Sequence, residues 1–222
     1  MCGRFALVAE KRILDMLFGL EMRFDLQPRF NIAPSQDILA LRRLSGDNEK
    51  EFVHLRWGLV PFWAEDSSID SRMINARAET APEKPSFRDA YKKRRVLIPA
   101  SGFYEWKKEQ DGKQPYYICR DDGGPFAFAG LWERWDKGDE PLETCTILTT
   151  EPNSLLASIH NRMPVIISPF NFDRWIDPNS DPKNLKDLLQ PYPPGELTVY
   201  PVSREVNKPS NNNPELIKPL SE

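Results

Sequence analysis

The sequence predicts an α+β fold: a single domain with a mainly antiparallel, barrel-like β-sheet flanked by short helices. Its 222 residues correspond to about one to one and a half domains, and no repeat or change of composition divides them. The 21 prolines are close to twice the average share of about 5%, which excludes long helices. Short apolar segments separated by turn sequences favour antiparallel strands. We therefore assign residues 1–222 to one domain.

The first half of the chain predicts two helices and two strands. Apolar residues at helical spacing predict an amphipathic helix within residues 8–20. Alternating apolar and polar residues predict strands at 38–42 and 52–60. A second helix is predicted at 85–95, with Ser86 as its N-cap and basic residues in its last turn.

The second half predicts a β-meander and several short helices. Apolar segments alternate with turns that contain Asp and Gly, as expected for antiparallel strands joined by tight connections. Strands are predicted at 96–99, 102–106, 116–119, 126–132, 144–149 and 197–202. Short helices are predicted at 152–160, 169–176 and 185–189, and an extended coil at 207–222.

Composition limits where the protein acts and what it binds. Three cysteines without a Cys-x-x-Cys pair favour a reducing compartment and argue against disulfides or a Cys-based metal site. No apolar run approaches the roughly 18 residues of a membrane span, and the N-terminal residues lack the order of a signal peptide. The formal charge of −3 gives no general attraction to nucleic acid, so a polyanion site must be local. We expect a cytoplasmic protein without metal or cofactor.

The N-terminus carries the strongest chemical signal. Cys2 is a small residue after which the initiator Met1 is commonly removed, and removal leaves a 1,2-aminothiol. Its α-amine, with a pKa of about 7.7–8.0, and its thiol, with a pKa of about 8.5, are both partly deprotonated at neutral pH. The amine can form a Schiff base with an aldehyde, and the thiol can then close a five-membered thiazolidine. Taken alone, a cysteine at this position is more commonly a small buried residue.

Five segments add a family resemblance to this signal. They are Met1-Cys2-Gly3-Arg4-Phe5, Arg29-Phe30-Asn31-Ile32-Ala33-Pro34, Ile74-Asn75-Ala76-Arg77-Ala78-Glu79-Thr80, Gly102-Phe103-Tyr104-Glu105-Trp106 and His160-Asn161-Arg162-Met163-Pro164. In this order and spacing they resemble the SOS-response-associated peptidase (SRAP) family of abasic-site-processing proteins. The segment Glu151-Pro152-Asn153 departs from the Ala-Asn expected there.

The resemblance implies the SRAP fold and a reaction with damaged DNA. It implies that the protein recognises abasic sites in single-stranded DNA and joins Cys2 to the sugar aldehyde as a stable thiazolidine, which shields the lesion during the DNA damage response. Autopeptidase and lyase-like activities are also implied. Because apolar neighbours raise a carboxyl pKa, Glu105 is the expected proton donor. His160 is expected to assist proton transfer, and Asn75 to hold the linked sugar.

Six residues are candidates for DNA contacts. They are Arg4, Arg77, Arg162, Asn31, Pro34 and Trp63. The three arginines match phosphate oxygens, although an ion pair within the protein is the alternative for each. By resemblance, the other three lie beside the lesion, where rigid groups stack on bases or separate them. Trp106 is predicted to belong to the core.

We expect a monomer whose partner is abasic single-stranded DNA, associated with the nucleoid when that DNA is damaged. No obligate protein partner is expected, since the chain ends at Glu222 without a docking tail. Three other functions stay open. An N-terminal cysteine also occurs in N-terminal-nucleophile glutamine amidohydrolases, although no glutamine-binding motif follows it here. Cys2 with His160 is compatible with a cysteine peptidase, and a non-catalytic module would bind intact and abasic strands alike.

Overall fold

Strands dominate the structure, a computed structural model that describes residues 2–44 and 49–220. The β-strands are β1 (Phe5–Leu7), β2 (Arg29–Ile32), β3 (Asp37–Arg43), β4 (Lys50–Trp57), β5 (Asn75–Arg77), β6 (Arg95–Ala100), β7 (Gly102–Glu109), β8 (Gly112–Arg120), β9 (Phe126–Trp135), β10 (Leu142–Thr150), β11 (Met163–Pro164), β12 (Ile166–Ile167) and β13 (Leu197–Pro201). The α-helices are α1 (Lys11–Phe18), α2 (Arg88–Lys93) and α3 (Phe172–Ile176). Short 3-10 helices cover Ser67–Arg72, Pro169–Asn171, Pro182–Leu189, Pro194–Glu196, Arg204–Asn207 and Pro214–Ile217.

Five strands form a closed barrel. The order β10-β4-β3-β6-β9 returns to its start because β9 also pairs with β10. All of these pairings are antiparallel except β4 with β10, where Thr144 lies opposite Arg56. Short β5 extends the same edge of β10 in parallel, with Asn75 opposite Ile147. The predicted α+β class and barrel-like sheet are therefore confirmed.

A second, fully antiparallel sheet has the order β13-β8-β7-β1-β2 and packs on the barrel. Phe5 of β1 reaches into the barrel, where its ring centre lies 5.3 Å from that of Trp57 and 5.7 Å from that of Phe128, both edge to face. Such aromatic contacts add to the burial of apolar area. The N-terminal strand is thereby fixed by the main core, and the residues that precede it have a defined position.

Gly102 permits the close approach at the start of β7. A Cβ atom built at this position would lie 2.3 Å from the ring of Tyr117 and 2.7 Å from the Ile118 carbonyl oxygen. Any side chain here would push β7, which pairs with β1, away from β8. This glycine therefore keeps β1, β7 and β8 in register.

The first half departs from the predicted elements at the helix ends. Helix α1 is shorter than the predicted 8–20 and stops at Gly19, which adopts a left-handed conformation with φ of 60°. Ser86 is not the N-cap of α2; Phe87 occupies that position and no side chain caps the helix. Turns from Thr80 to Phe87 precede α2 and replace its predicted first turn.

The second half contains two larger departures. Residues 152–160, predicted as a helix, contain successive turns at 154–159 and no regular helix, although the Asn153 side chain accepts the Leu156 N–H as a helix N-cap would. The predicted meander is divided between two sheets: β7 and β8 form a hairpin in one, and β9 and β10 form a hairpin in the other. The predicted coil at 207–222 contains a 3-10 helix at Pro214–Ile217, whose Leu216 is buried; residues 221–222 lie outside the described part of the chain.

Candidate active site

An open cavity of about 450 Å³ lies where the β7-β8 hairpin meets the turn before β11. Its lining residues are Glu105, Trp106, Lys113, His160 and Asn207. Two of these, Glu105 and His160, are sequence-predicted catalytic residues. The remaining three are not among the predicted catalytic or DNA-binding residues.

Cys2 is fully buried next to this cavity. Phe5 pairs with Phe103, and the Arg4 carbonyl accepts the Tyr104 N–H at 3.0 Å, so the residues before β1 run alongside Glu105. Burial raises the pKa of the Cys2 thiol well above its usual range, and the charge of Glu105 acts in the same direction. At neutral pH the thiol therefore keeps its proton.

Glu105 is the buried carboxylic acid in the cavity lining. It projects from β7 and is only 2% exposed. Burial raises the pKa of this carboxyl to about 7, because water no longer stabilises the carboxylate. Near pH 7 the group is thus present in both protonation states and is able to donate or accept a proton.

His160 faces Glu105 across the cavity. Its Nε2 lies 4.0 Å from a carboxylate oxygen of Glu105. Its Nδ1 lies 3.1 Å from the backbone nitrogen and 3.2 Å from the backbone oxygen of Arg162, so the neutral ring can hold its proton on either nitrogen. Burial lowers the pKa of His160, which favours this neutral form.

Asn75 connects the barrel to the N-terminus. Its Nδ2 donates a hydrogen bond of 2.8 Å to the Cys2 carbonyl oxygen. Its Oδ1 is buried and has no hydrogen-bond partner within residues 2–44 and 49–220. A buried acceptor without a donor costs about 1–3 kcal/mol, so this oxygen is suited to a hydrogen bond from a bound molecule. Cys2, Asn75, Glu105 and His160 thus lie together although they are distant in sequence.

Two of the three predicted arginines are held inside the protein. Arg4 donates to the Asn31 side-chain oxygen and to the Val206 carbonyl, both at 2.7 Å. Arg162 makes a two-pronged contact with Glu79, each distance being 2.8 Å, and also binds the Thr149 carbonyl. Arg77 differs from both because its side chain is exposed at the edge of β5. Among the three, Arg77 is the guanidinium best placed to meet a phosphate from solvent.

The other predicted DNA contacts lie outside the lining of this cavity. Asn31 is 4% exposed, and its Nδ2 lies 2.9–3.3 Å from three carbonyls of the C-terminal segment, so it ties β2 to that segment. Pro34 is half-buried. Trp63 is 43% exposed and adjoins Phe62, which is 49% exposed. This pair forms a small apolar surface compatible with stacking on bases.

Sequence reasoning missed three residues of the cavity. Trp106, predicted to belong to the core, is half-buried in the lining, and its Nε1 donates to the Asn207 side chain at 2.7 Å. Lys113 reaches the cavity from the far strand of the hairpin. The apolar segments of β7 and β8 allowed these strands to be predicted, but no local pattern indicated the contact with Asn207.

Two features are absent from the described residues, a cluster of metal ligands and a membrane-spanning helix. No group of three or more His, Cys, Asp or Glu side chains there is placed to hold a metal ion. None of the helices formed by these residues is long and apolar enough to cross a membrane.

Comparison with known proteins decides the family. The family model for SOS response associated peptidase (SRAP) matches residues 1–209. The chain belongs to the SRAP family. The resemblance carried by the five sequence segments is confirmed, and these segments supply Cys2, Asn75, Glu105 and His160 of the site.

Relatives of this SRAP protein cover nearly its whole length. It is 46% identical over 98% of its chain to the "Abasic site processing protein YoqW" of Bacillus subtilis, of which 99% is covered. It is 32% identical over 99% of its chain to "Abasic site processing protein YedK" of Escherichia coli, covered in full. A crystal structure of a protein from Bacteroides thetaiotaomicron superposes with a TM-score of 0.86 at 28% identity, covering 99% of this chain and 100% of that one.

Proposed function

We propose that this protein processes abasic sites in single-stranded DNA by joining its own Cys2 to the sugar aldehyde as a thiazolidine, once Met1 has been removed. Relatives at 46% and 32% identity that are named abasic site processing proteins support the substrate class. The observation that carries the chemistry is the position of buried Cys2 beside Glu105, whose carboxyl pKa of about 7 suits proton transfer at neutral pH.

The first step is imine formation. The ring-opened abasic sugar presents C1′ as an aldehyde, and the free Cys2 amine attacks it to give a carbinolamine. Protonated Glu105 donates a proton to the departing hydroxyl, which leaves as water while the C1′–N double bond forms. The site is nearly dry at Glu105, so the proton donor does not compete with bulk water. No oxidant or reductant is needed.

The second step closes the ring. The Cys2 sulfur bonds to C1′, and the electron pair of the C1′–N double bond moves to nitrogen, which becomes neutral and keeps the one proton it carried in the iminium ion. Ionised Glu105 accepts the thiol proton, which restores the acid. The raised pKa of the thiol supports this order, because a neutral thiol is a weak nucleophile until a strong electrophile such as the imine is held next to it. The net change is loss of one water.

Asn75 and His160 have supporting roles in this proposal. Asn75 fixes the Cys2 carbonyl through Nδ2, and its unpartnered Oδ1 accepts a hydrogen bond from the sugar or the thiazolidine nitrogen. His160 exchanges protons with Glu105 and contacts the sugar from the open side of the cavity. When the crosslink reverses, the same two groups return the protons in the opposite order.

Contacts to the DNA backbone are assigned mainly to Arg77. Arg4 and Arg162 contribute positive potential near the strand, but their hydrogen bonds to protein groups limit direct phosphate contact. Pro34 and Trp63 are proposed to contact unstacked bases, and Asn31 to support that region from below. We further propose that the protein acts as a monomer in the cytoplasm.

A cysteine peptidase is less well supported by the same residues. Such enzymes need a thiolate stabilised by a nearby protonated histidine. Here burial raises the pKa of Cys2 and lowers the pKa of His160, so both groups are shifted toward their neutral forms. Limited removal of the N-terminal Met1 remains compatible with the proposal, since it exposes the amine.

Denaturing gel electrophoresis tests the proposed function. Wild-type protein incubated with an abasic oligonucleotide is expected to give a heat-stable band of lower mobility, and none with the intact strand of the same sequence. Cys2→Ala should remove the stable band. Retention of the same stable adduct by Cys2→Ala without a reducing trap would overturn the assignment, and wild-type protein that binds both strands equally and releases both would indicate a non-catalytic binding module.

A further inference from the structure

We propose that Lys113 binds a phosphodiester of the strand next to the abasic nucleotide and so positions the sugar over Cys2. This inference rests on the proposed function and adds a residue to its site. The structure supports it through three observations: the place of Lys113 in the cavity, its unengaged charge, and the engagement of two neighbouring arginines.

Lys113 is placed at the cavity by the β7-β8 hairpin. It pairs with Lys108, one step from the turn of the hairpin. Its side chain is exposed and lines the same cavity as Glu105 and His160, whereas Lys108 does not. The ammonium group acts on the His160 ring, whose pKa it helps to lower after the larger effect of burial. Lys113 is therefore close enough to influence a sugar held between these residues.

The charge of Lys113 is available for a ligand. No ion pair or hydrogen bond of its ammonium group occurs within the described part of the chain, whereas Arg4 binds Asn31 and Arg162 is paired with Glu79. Lys113 is also the one cation in the lining of this cavity, as far as the described residues show.

A phosphodiester is the ligand that fits this arrangement. A strand threaded past Glu105 brings negative charge toward a carboxyl that is partly ionised near pH 7. A nearby ammonium group offsets that repulsion, and lysine binds phosphate as a point charge without demanding a fixed fork geometry. The other available chemistry is attack of the Lys113 amine on the aldehyde, which an arginine in its place cannot perform.

Binding is measured first, with a strand that cannot react. Wild type, Lys113→Ala, Lys113→Arg and Lys108→Ala are titrated with a single-stranded oligonucleotide that carries a tetrahydrofuran abasic analogue, which has no aldehyde. Lys113→Ala should weaken binding about 3- to 10-fold at low salt and flatten the slope of log affinity against log salt by about 0.7. Lys113→Arg should restore both values to within about twofold of wild type, and Lys108→Ala should change neither.

Adduct formation with a reactive abasic strand provides the second readout. Lys113→Ala should need about 3- to 10-fold more DNA for half the maximal rate and keep the rate at saturating DNA to within about twofold. An unchanged affinity and salt slope would overturn the proposal, as would an equal loss in Lys108→Ala, which would indicate general charge attraction. The proposal would also be overturned if borohydride trapped the abasic strand on Lys113 and Lys113→Arg did not restore adduct formation. That result would make the Lys113 amine a nucleophile. If wild type forms no adduct, the proposed function fails, while the binding comparison still decides the role of Lys113.

Discussion

The carboxylate of Glu105 lies 4.0 Å from Nε2 of His160, across the cavity that adjoins Cys2. Burial shifts the two groups in opposite directions, raising the pKa of the acid and lowering that of the base. The neutral pair is thereby favoured over the charged pair. A proton can pass between the two residues and a substrate with little change in net charge, which is what imine formation and its reversal require.

Replacement of Glu105 tests this proton transfer. Glu105→Gln keeps the shape of the side chain and removes its titratable proton, so adduct formation should slow about 100-fold while affinity for a non-reactive abasic strand stays near that of wild type. The wild-type rate should pass through a maximum between about pH 7 and 8, because the acid form of Glu105 is lost while the free amine of Cys2 is gained over that range. Rate measurements between pH 5 and 8 check both points. Equal rates for variant and wild type at every pH would transfer the role of proton donor to another group.

The same burial predicts a pH-dependent stability difference. The carboxyl pKa of Glu105 is raised from 4.5 to about 7 in the folded state, so the folded protein disfavours the ionised form. Wild-type stability should therefore match that of Glu105→Gln below about pH 4.5, fall behind it progressively between about pH 4.5 and 7, and stay lower by up to about 3 kcal/mol at higher pH. Urea unfolding of both proteins at pH 5 and pH 8 measures this. A constant difference at the two pH values would show that the carboxyl is not perturbed.

Replacement of Arg77 should affect DNA binding, whereas replacement of Arg4 should affect folding stability. Arg77→Ala removes an exposed cation, so it should leave stability within about 0.5 kcal/mol of wild type and flatten the salt slope of strand binding by about 0.7. Arg4→Ala removes two hydrogen bonds from a charged donor and should lower the unfolding free energy by about 2 kcal/mol. Thermal unfolding and salt-dependent titration of each variant separate the two roles. A stable Arg4→Ala protein with a flattened slope would assign Arg4 to phosphate as well.

Glu79 is predicted to restrain Arg162. Glu79→Gln breaks the two-pronged ion pair, which frees the guanidinium and removes a negative charge beside the DNA path, so affinity for single-stranded DNA should rise several-fold at low salt. Stability should change by no more than about 1 kcal/mol, because Glu79 is exposed. Glu83→Gln is the matched control, since Glu83 is exposed nearby and its side chain makes no ion pair within the described residues. An equal gain in both variants would mean that charge alone, and not release of Arg162, increases affinity.

Eight of the thirteen strands in the described residues were predicted from their apolar segments, whereas β1, β2, β5, β11 and β12 were not, because strands of two to four residues are too short to show a pattern. Cys2, Asn75, Glu105 and His160 were predicted through the family motifs. The sequence predicted a barrel-like sheet but not which strands close it, because the parallel pairing of Arg56 with Thr144 joins segments far apart in the chain. Helix ends depended on tertiary contacts that no local pattern shows.

The hydrogen-bond partners of Arg4 and Arg162 were not predictable either, because they are distant in sequence. The acceptor of Arg4 at Val206 is 202 residues away, and that of Arg162 at Glu79 is 83 residues away. The motifs therefore indicated where positive charges lie in the sequence. They did not indicate whether protein groups bind those charges in the folded state or leave them free to contact phosphate. Trp106 and Lys113 show the converse: Trp106 was assigned to the core and Lys113 did not stand out in the sequence, yet the hairpin brings both to the cavity.

Intact-mass spectrometry of the product tests the central claim most directly. Protein that has lost Met1 and protein that retains it are each incubated with the same abasic oligonucleotide. With Met1 present the nitrogen of Cys2 is an amide, whose lone pair is delocalised and does not attack an aldehyde. Only the trimmed protein is expected to gain the oligonucleotide. Its product should be one water lighter than the sum of its parts, and the modified peptide should begin at Cys2. A stable adduct of the same mass change on protein that still carries Met1, formed as fast as on the trimmed protein, would contradict this expectation.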